Sequence, residues 1–384
     1  MSMLLRRRVG ALIILLSSWL LMSEFTLGNE VLYLATIRGR SVSVYAIEKP
    51  GAGPLLTPHS VVELPGDGGA MCYSPKRDFV YVALTRLPGD KAGVATYRRR
   101  PDGGLEHAGN ATITSRAPYI RVSDDGSCLL AAHYADGEVT MYRVKDGICT
   151  SELLAQIATE KTAHCVELDP SGMYAFVPHT SPNKIYQFRL DAQRGKLTPN
   201  DPPWVDGPER NRQGGSFDEP RHIAFHPRLK AAFSSNERGG GITRWAIDAE
   251  TGTLTREQTL YTLPADFRGQ SAAADIRITP DGRFAFVSNR DVTKRAEGEA
   301  AQDSITTVAI DPKNGEMRIA GHAATTEMPR SICVNGDGSL LFAAGQKSDR
   351  LLAYTIDRQT GKLTLLESRE ATGTPIWVMC GDVE

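Results

Sequence analysis

Glu219-Pro-Arg-His-Ile-Ala-Phe-His-Pro-Arg-Leu-Lys-Ala-Ala-Phe-Ser-Ser-Asn-Glu237 is the stretch that decides how this chain is read, because its parts recur elsewhere in the sequence. Ile223 and Phe225 alternate with His222 and Ala224, which predicts a short strand with one buried face. His226-Pro227-Arg228-Leu229 supplies a turn, and Lys230 to Ser235 a second strand. Antiparallel pairing then brings Arg221, ahead of the first strand, beside Glu237, behind the second. An arginine and a carboxylate are expected to meet at the open end of this hairpin.

Equivalents of the turn recur at intervals of roughly 45 to 57 residues, the range of propeller blades. They are Ser74-Pro75, Ser123-Asp124-Asp125-Gly126, Asp169-Pro170-Ser171-Gly172, His226-Pro227, Thr279-Pro280-Asp281-Gly282 and Asn335-Gly336-Asp337-Gly338, with a seventh at Cys380-Gly381. A short strand precedes each turn. A second strand follows all but the last: Phe79 to Leu84, Cys128 to His133, Tyr174 to Pro178, Lys230 to Ser235, Phe284 to Ser288 and Leu340 to Ala344. Third strands follow, as in Gly241 to Asp248 and Leu351 to Asp357, and Gly-x-Leu phrases such as Gly195-Lys-Leu197 and Gly361-Lys-Leu363 open fourth ones. Four antiparallel strands repeated about an axis predict an all-β propeller.

The two ends of the chain set the number of blades. Pro375 to Met379 supplies only a first strand, and its partners are Val31 to Thr36, Ser41 to Ile47 and Val61 to Leu64. Joining them closes a seven-bladed ring without a free edge. Within the first strands, residues one and three before each turn are apolar, from Met71 and Tyr73 to Trp377 and Met379, and should pack between blades. Those two and four before include Tyr119, Arg121, Glu167, His222, Asp275, Arg277 and Ser331, which should face the central channel.

Composition excludes some partners. A net charge of -1 and an isoelectric point near 6.7 provide no large field for nucleic acid or an anionic membrane. Arg6-Arg7-Arg8 and the apolar run Val9 to Met22 read as a secretory signal over residues 1–28, with Thr26-Leu27-Gly28 as the cleavage candidate. One propeller domain over residues 29–384 is then expected, periplasmic or secreted, monomeric and without stable membrane insertion after cleavage. An uncleaved anchor is the alternative, and a misassigned start codon would make the protein cytoplasmic. The six cysteines, Cys72, Cys128, Cys149, Cys165, Cys333 and Cys380, show neither a CxxC pair nor zinc spacing. Most fall in strands, where a thiol behaves as a small hydrophobe. Export would permit disulfides, but their pairing cannot be read from spacing. Neither a metal nor an organic cofactor is expected.

In this plan, the loops before each first strand and after each second strand share one face. Positions before the first strands carry His164, Arg221 and Arg330; positions after the second strands carry His133, His179, Glu237, Asn289-Arg290-Asp291 and Gln346-Lys347. Two irregular segments, Pro199 to Asp218 and Arg290 to Asp303, open there too and are expected to act as lids. Two arginines, Lys347 and the histidines, with one carboxylate at the rim and Asp275 just inside, suit an anionic small molecule. The alternative for Arg221 and Glu237 is a salt bridge that only closes a blade, and for His164 a structural hydrogen bond. Arg121, Glu167 and Arg277 are expected to form channel ion pairs; His226, Asp281 and Asp337 belong to turns on the opposite face. No Gly-x-Ser-x-Gly, His-Glu-x-x-His or P-loop motif occurs, which argues against serine-nucleophile, zinc-protease and nucleotide chemistry.

Three long phrases resemble the seven-bladed propeller lactonases, typified by bacterial 6-phosphogluconolactonase and related to fungal carboxy-cis,cis-muconate cyclases. These are Pro220 to Pro227 with Asn236-Glu237, Ala273 to Arg283, and Pro329-Arg330 leading to Ala343-Ala-Gly-Gln-Lys-Ser348. The resemblance spans Val31 to Val383 and implies hydrolysis of a sugar lactone without a cofactor. It carries the family's proposed catalytic set onto His164, Arg221, Glu237 and Arg330. His179, His222, Asp275, Gln346 and Lys347 are then the expected substrate-binding residues. Glu237 or His164 would be the general base. Muconate-type lactonisation and a non-catalytic binding propeller are the alternative functions. The first blade departs from the family in having Gly68-Gly-Ala-Met71 where a proline commonly precedes the strand, and an exported protein would sit apart from a cytosolic sugar-phosphate pathway.

Overall fold

The structure, a computed structural model, describes residues 30–51, 53–209 and 218–383; the expected signal lies outside the described residues. Among these, every regular element is a strand, and 28 strands form seven four-stranded antiparallel sheets. Six sheets use consecutive strands. The seventh runs Pro375–Asp382, Glu30–Thr36, Ser41–Ile47, Leu56–Glu63, with Glu30 opposite Asp382, Tyr33 opposite Met379 and Thr36 opposite Pro375. The ring is therefore closed by pairing the two ends of the chain. Numbering blades by sequence, blades 1 to 6 begin at residues 67, 119, 167, 220, 271 and 329, and blade 7 is the composite.

Burial explains why the second strands read as unbroken apolar runs. Cys128–His133 and Phe284–Asp291 are buried at every residue because neighbouring blades cover both faces. Outermost strands such as Met317–Ala324 alternate between covered and wet positions. Tyrosine hydroxyls stitch adjacent blades: Tyr33 donates to Gly103 O at 2.6 Å, Tyr81 to Gly147 O at 2.7 Å and Tyr174 to Glu250 O at 2.6 Å. Each acceptor lies in the turn opening the next blade's outer strand. Gly147 is required there, with φ near +79° and the ring of Phe79 only 2.0 Å from where a Cβ would sit.

The recurring turn residues have a common job. The side chains of Ser74, Ser123, Asp169, Thr279 and Asn335 each accept a hydrogen bond from the amide five residues on, at 2.8 to 3.1 Å. His226 differs: its Nδ1 accepts from Leu229 N, three residues on, at 2.9 Å, while Nε2 donates to Gly282 O. Only residues with a short acceptor side chain can close the hairpin in this way.

Three expected boundaries change. The first part of the segment expected from Pro199 to Asp218 is not irregular: the outer strand of blade 3 continues over Lys196–Asp206, its edge held by Lys184 stacked on Trp204 at 4.5 Å, while residues 210–217 lie outside the described residues. Prolines fit there because an edge strand need not donate outward. Arg290 and Asp291 likewise complete the strand Phe284–Asp291, leaving residues 292–303 as the irregular segment. The fourth strand of blade 7 is Leu56–Glu63, longer and earlier than expected.

If end-to-end pairing holds the ring, deleting residues 375–384 should uncover the edge of Glu30–Thr36 in blade 7 and the face of blade 6 packed against the closing strand. The expected outcome is loss of cooperative thermal unfolding and aggregation on size-exclusion chromatography. A truncated chain that elutes and melts like the full chain would rule this closure out.

Candidate active site

Strict alternation would turn Arg221 and Arg330 between the blades, because each lies an odd number of residues before its turn. A local irregularity redirects them. Pairing of Pro220 with Asn236 and of His222 with Ser235 leaves Arg221 as an extra residue, and Pro329 with Gly345 and Ser331 with Ala344 leaves Arg330 likewise. Such bulges re-aim side chains. Two residues before each stands a left-handed residue: Glu219 (φ 55°) and Met328 (φ 58°), matched by Thr162 (φ 72°) before His164 and Thr374 (φ 62°) before Ile376. This shared geometry sends His164, Arg221, Arg330 and Ile376 into one cavity of about 150 Å³ at a mouth of the channel.

Glu237 reaches the same region from the other side. Its backbone is clamped between blades, its N–H donating to Glu219 O and its carbonyl accepting from Ala273 N, both at 2.8 Å. Its Oε1 lies 2.7 Å from Arg290 Nη2 and 3.9 Å from Arg221 Nε. Arg290 is itself fixed by donating from Nε to Ala272 O at 2.9 Å. Glu237 lines a different cavity, of about 470 Å³, with Tyr134, Arg238 and Gln270.

Burial alone would raise the Glu237 carboxyl, but Arg221, Arg290 and Arg330 outweigh it and hold the group below its ordinary value. The arginines are crowded. Burial and the neighbouring Arg290 push Arg330 down to about 10, and burial with Arg290 and Arg330 lowers Arg221 further below its usual range. His164 is nearly fully buried, edge-on to Tyr134 and 5.2 Å from the His222 ring. Burial and the surrounding cations keep it neutral. His164 Nδ1 and Arg221 Nε are buried without hydrogen-bond partners. Three guanidiniums facing one carboxylate, with donors left over, make a site that an anion would complete.

Beneath it lies a relay. Asp275, fully buried, accepts from His222 Nδ1 at 2.9 Å, Ile276 N at 2.9 Å, Ile332 N at 3.0 Å, Arg277 Nη2 at 3.1 Å and Ser331 Oγ at 3.3 Å. Burial opposes its charge, yet Arg277 and these donors hold it well below the usual carboxylate range. His222 is pushed down to about 3, first by burial and then by Arg221. The direction for this pair is an ionised Asp275 and a neutral His222. With the proton on Nδ1, His222 Nε2 can only accept, and it faces Arg221 Nη1 at 3.2 Å. Asp275 thereby orients Arg221 through the imidazole.

The structure brings His164, Arg221, His222 and Arg330 around one cavity, with Glu237 beside Arg221 and Asp275 below. It does not bring His179 there. That ring packs against Tyr186, with Nδ1 on Val177 O and Nε2 on Thr159 Oγ1, because the strand Tyr174–His179 turns it away from the channel. Gln346 and exposed Lys347 sit in the turn after Leu340–Gly345, their amides bonded to Met328 and Glu327 carbonyls, and line neither cavity of the site. Arg290 is the residue that sequence reasoning left out of the site. Its position after a second strand was the available signal. Arg121 pairs with Glu167 at 3.1 Å, whereas Arg277 pairs with Asp275 instead.

A T-shaped Tyr119–Trp377 contact at 5.2 Å and a Tyr119–His222 contact at 5.1 Å form the floor. Below it, the other mouth holds a larger cavity, about 640 Å³, lined by Arg77, Arg121, Glu167 and Arg277 among others. Size does not decide between the two. Among the described residues, none of the buried side-chain atoms lacking a hydrogen-bond partner lines the larger one. No group of three or more His, Cys, Asp or Glu among these residues is arranged to hold a metal ion.

A seven-bladed propeller with a cationic pocket at one mouth of its channel is the class that fold and site define. The chain belongs to the lactonase family of seven-bladed β-propellers, whose family model matches residues 30–380. It is 31% identical over 351 residues to a 6-phosphogluconolactonase of Serratia proteamaculans, covering 91% of this chain and 98% of that one. A 6-phosphogluconolactonase of Yersinia pestis is 29% identical over 350 residues, covering 91% and 97%. Among solved structures, the periplasmic gluconolactonase of Pseudomonas aeruginosa shares the fold, with a TM-score of 0.77, 24% identity and coverage of 92% and 99%.

The neutral histidines generate a pH prediction. Burial pushes His179 down to about 4 and His222 to about 3, against 6.5 for the free group. The unfolded chain then binds more protons than the folded one as pH falls through 6.5, so acid favours unfolding. These two rings contribute stability that is full above about pH 7 and is lost below it, at about 1.4 kcal/mol per pH unit each between folded and unfolded values. Asp218 and Glu219, raised by burial to about 7, and Asp303, raised by burial to about 6, carry the opposite slope over the same range. Urea midpoints between pH 4.5 and 7.5 should therefore fall less steeply with acid in His179→Gln than in the parent chain, and identical slopes would show that the His179 ring is not held neutral.

Proposed function

We propose that this protein hydrolyses a sugar lactone carrying an anionic substituent, with 6-phospho-D-glucono-1,5-lactone the foremost candidate. The observation that carries the reading is the excess of buried guanidinium over carboxylate where Arg221, Arg290 and Arg330 gather about Glu237, beside the cavity that Arg221 and Arg330 line, at the position where the family's proposed catalytic residues fall. The full-length match to relatives named 6-phosphogluconolactonase supports the substrate class. The periplasmic name of one structural relative accords with an exported protein, and we infer export through residues 1–28.

In this reading, a water attacks the lactone carbonyl carbon and a base takes its proton. His164 suits that role better than Glu237: it is neutral, with Nδ1 free of other bonds. Glu237 is ion-paired with Arg290 and held below its ordinary value, which weakens it as a base. The cations that lower His164 would be partly cancelled by an anionic substrate, restoring basicity when substrate binds. Arg221, oriented by His222 and Asp275, donates to the developing oxyanion. Collapse breaks the bond from carbonyl carbon to ring oxygen, which takes the proton from His164 and leaves as the sugar hydroxyl. Arg330 holds the anionic substituent.

A panel comparing gluconolactone with its 6-phosphate tests the substrate. The phosphorylated lactone should be turned over with a kcat/KM roughly tenfold or more higher, the worth of one charge-assisted contact; no turnover of any lactone would remove the reading. Arg221→Ala should lower kcat by roughly a hundredfold or more, because it loses a transition-state donor. Arg330→Ala should mainly raise KM for the phosphorylated substrate. Near-normal kcat in Arg221→Ala would reduce that residue to a structural partner of Glu237.

Arg290→Gln tests whether the arginine cluster sets the acid limb of the kcat/KM profile. Removing this cation should raise the pKa of both Glu237 and His164, moving that limb upward in pH. An unmoved limb would mean that neither group is needed in its deprotonated form for turnover.

A further inference from the structure

The far mouth of the channel holds a feature that lactone hydrolysis does not use. Cys333, in the first strand of blade 6, and Cys380, in the strand Pro375–Asp382 that closes the ring, have their Sγ atoms 2.7 Å apart. That separation lies inside the van der Waals contact of two sulfurs. Neither thiol is otherwise required where it is. Cys333 belongs to the apolar layer with Phe342 and Val378, and Cys380 packs against that layer, so any residue of similar size would fill the space. Both also line the 640 Å³ cavity, so a solute can reach them. The other four cysteines are buried within blades 1 to 3.

We propose that Cys333 and Cys380 form a disulfide that staples the closing strand to blade 6. The two Sγ–H bonds break, one Sγ–Sγ bond forms, and two electrons and two protons pass to a low-molecular-weight disulfide such as oxidised glutathione, which becomes two thiols. Exchange proceeds through a mixed disulfide on one of the pair, and the other thiolate displaces the glutathione. The bond would span two strands that share no backbone ladder, since Cys380 pairs through its backbone with Leu32 and Cys333 with Phe342; beyond packing, Val378 N donates across the seam to Ser331 Oγ at 3.2 Å. Its effect is specific to this topology. The closing strand is the only one in its blade that comes from the C-terminal end of the chain, so the ring opens if residues 375–382 fray. A link from Cys380 to blade 6 constrains that fraying, and it shortens the excursions of the unfolded chain by closing the loop between the two positions.

Burial holds the Cys380 thiol well above its ordinary range, so thiolate is scarce in the folded protein and exchange there is slow. Oxidation should therefore be faster at alkaline pH and faster still during refolding. The reaction needs only an oxidising thiol–disulfide buffer and is independent of whether the protein hydrolyses a lactone.

The test uses the full chain in two arms: folded protein held with oxidised glutathione at alkaline pH, and protein refolded from urea in a glutathione redox buffer. Free thiols are blocked, the protein is unfolded, and the remaining groups are counted and mapped by peptide mass spectrometry. The expected result is that two of the six cysteines are protected and appear as one linked peptide pair containing Cys333 and Cys380, with dithiothreitol restoring all six. The oxidised protein should melt roughly 5 °C or more above the reduced one, corresponding to a gain on the order of a hundred- to a thousand-fold in the folded-to-unfolded ratio. Cys333→Ser and Cys380→Ser should each abolish both the link and the difference in melting temperature. Six free thiols in both arms, or a link between any other pair, overturns the proposal.

Discussion

The carboxylate of Asp275 is the point on which the functional half of the ring depends. It accepts from His222 of blade 4, from Ile276 and Arg277 of its own blade, and from Ser331 and Ile332 of blade 6. A buried charge is tolerated only when its oxygens are this fully satisfied. The same bonds tie three innermost strands into one rigid unit and fix which nitrogen of His222 bears the proton. Through that imidazole they set the guanidinium of Arg221. Structural and chemical roles are thus not separable at this residue: the bonds that pack the blades also aim the site.

The rim above Asp275 is electrostatically incomplete. Arg221, Arg290 and Arg330 share Glu237, and burial, followed by repulsion from the neighbouring guanidiniums, lowers the affinity of Arg221 and Arg330 for their protons. Buried like charges persist only when the rest of the fold over-determines them. Here the bulges at Arg221 and Arg330, the left-handed residues before them and the backbone clamps on Glu237 leave the groups little freedom to part. An anion would relieve the repulsion, so this arrangement of charges is suited to a negatively charged ligand.

Tyr119, Trp377 and His222 divide the channel, so its two mouths carry different burdens. One presents the unpartnered donors of the arginine cluster. The other holds the ion pair of Arg121 with Glu167 and the thiols of the ring-closing seam. Trp377 belongs to the closing strand itself, so end-to-end pairing of the chain also sets the floor beneath the site.

By itself the sequence determined the architecture, because a propeller is written in local, repeated signals. Side-chain acceptors at Ser74, Ser123, Asp169, Thr279 and Asn335 act within five residues, and the period-2 pattern of each first strand already separates interblade from channel positions. The lone first strand at Pro375 likewise demanded partners at the other end. Arg221 beside Glu237 was legible from hairpin pairing alone. What only the tertiary structure decided involves contacts between blades or departures from the period. The bulges that swing Arg221 and Arg330 inward break the alternation from which facing is read. Arg290 joins Glu237 from a neighbouring blade, His179 is turned away by its strand, and Cys333 meets Cys380 across a seam. Spacing within one strand encodes direction along that strand, whereas distances between blades arise only when seven sheets are closed about a common axis.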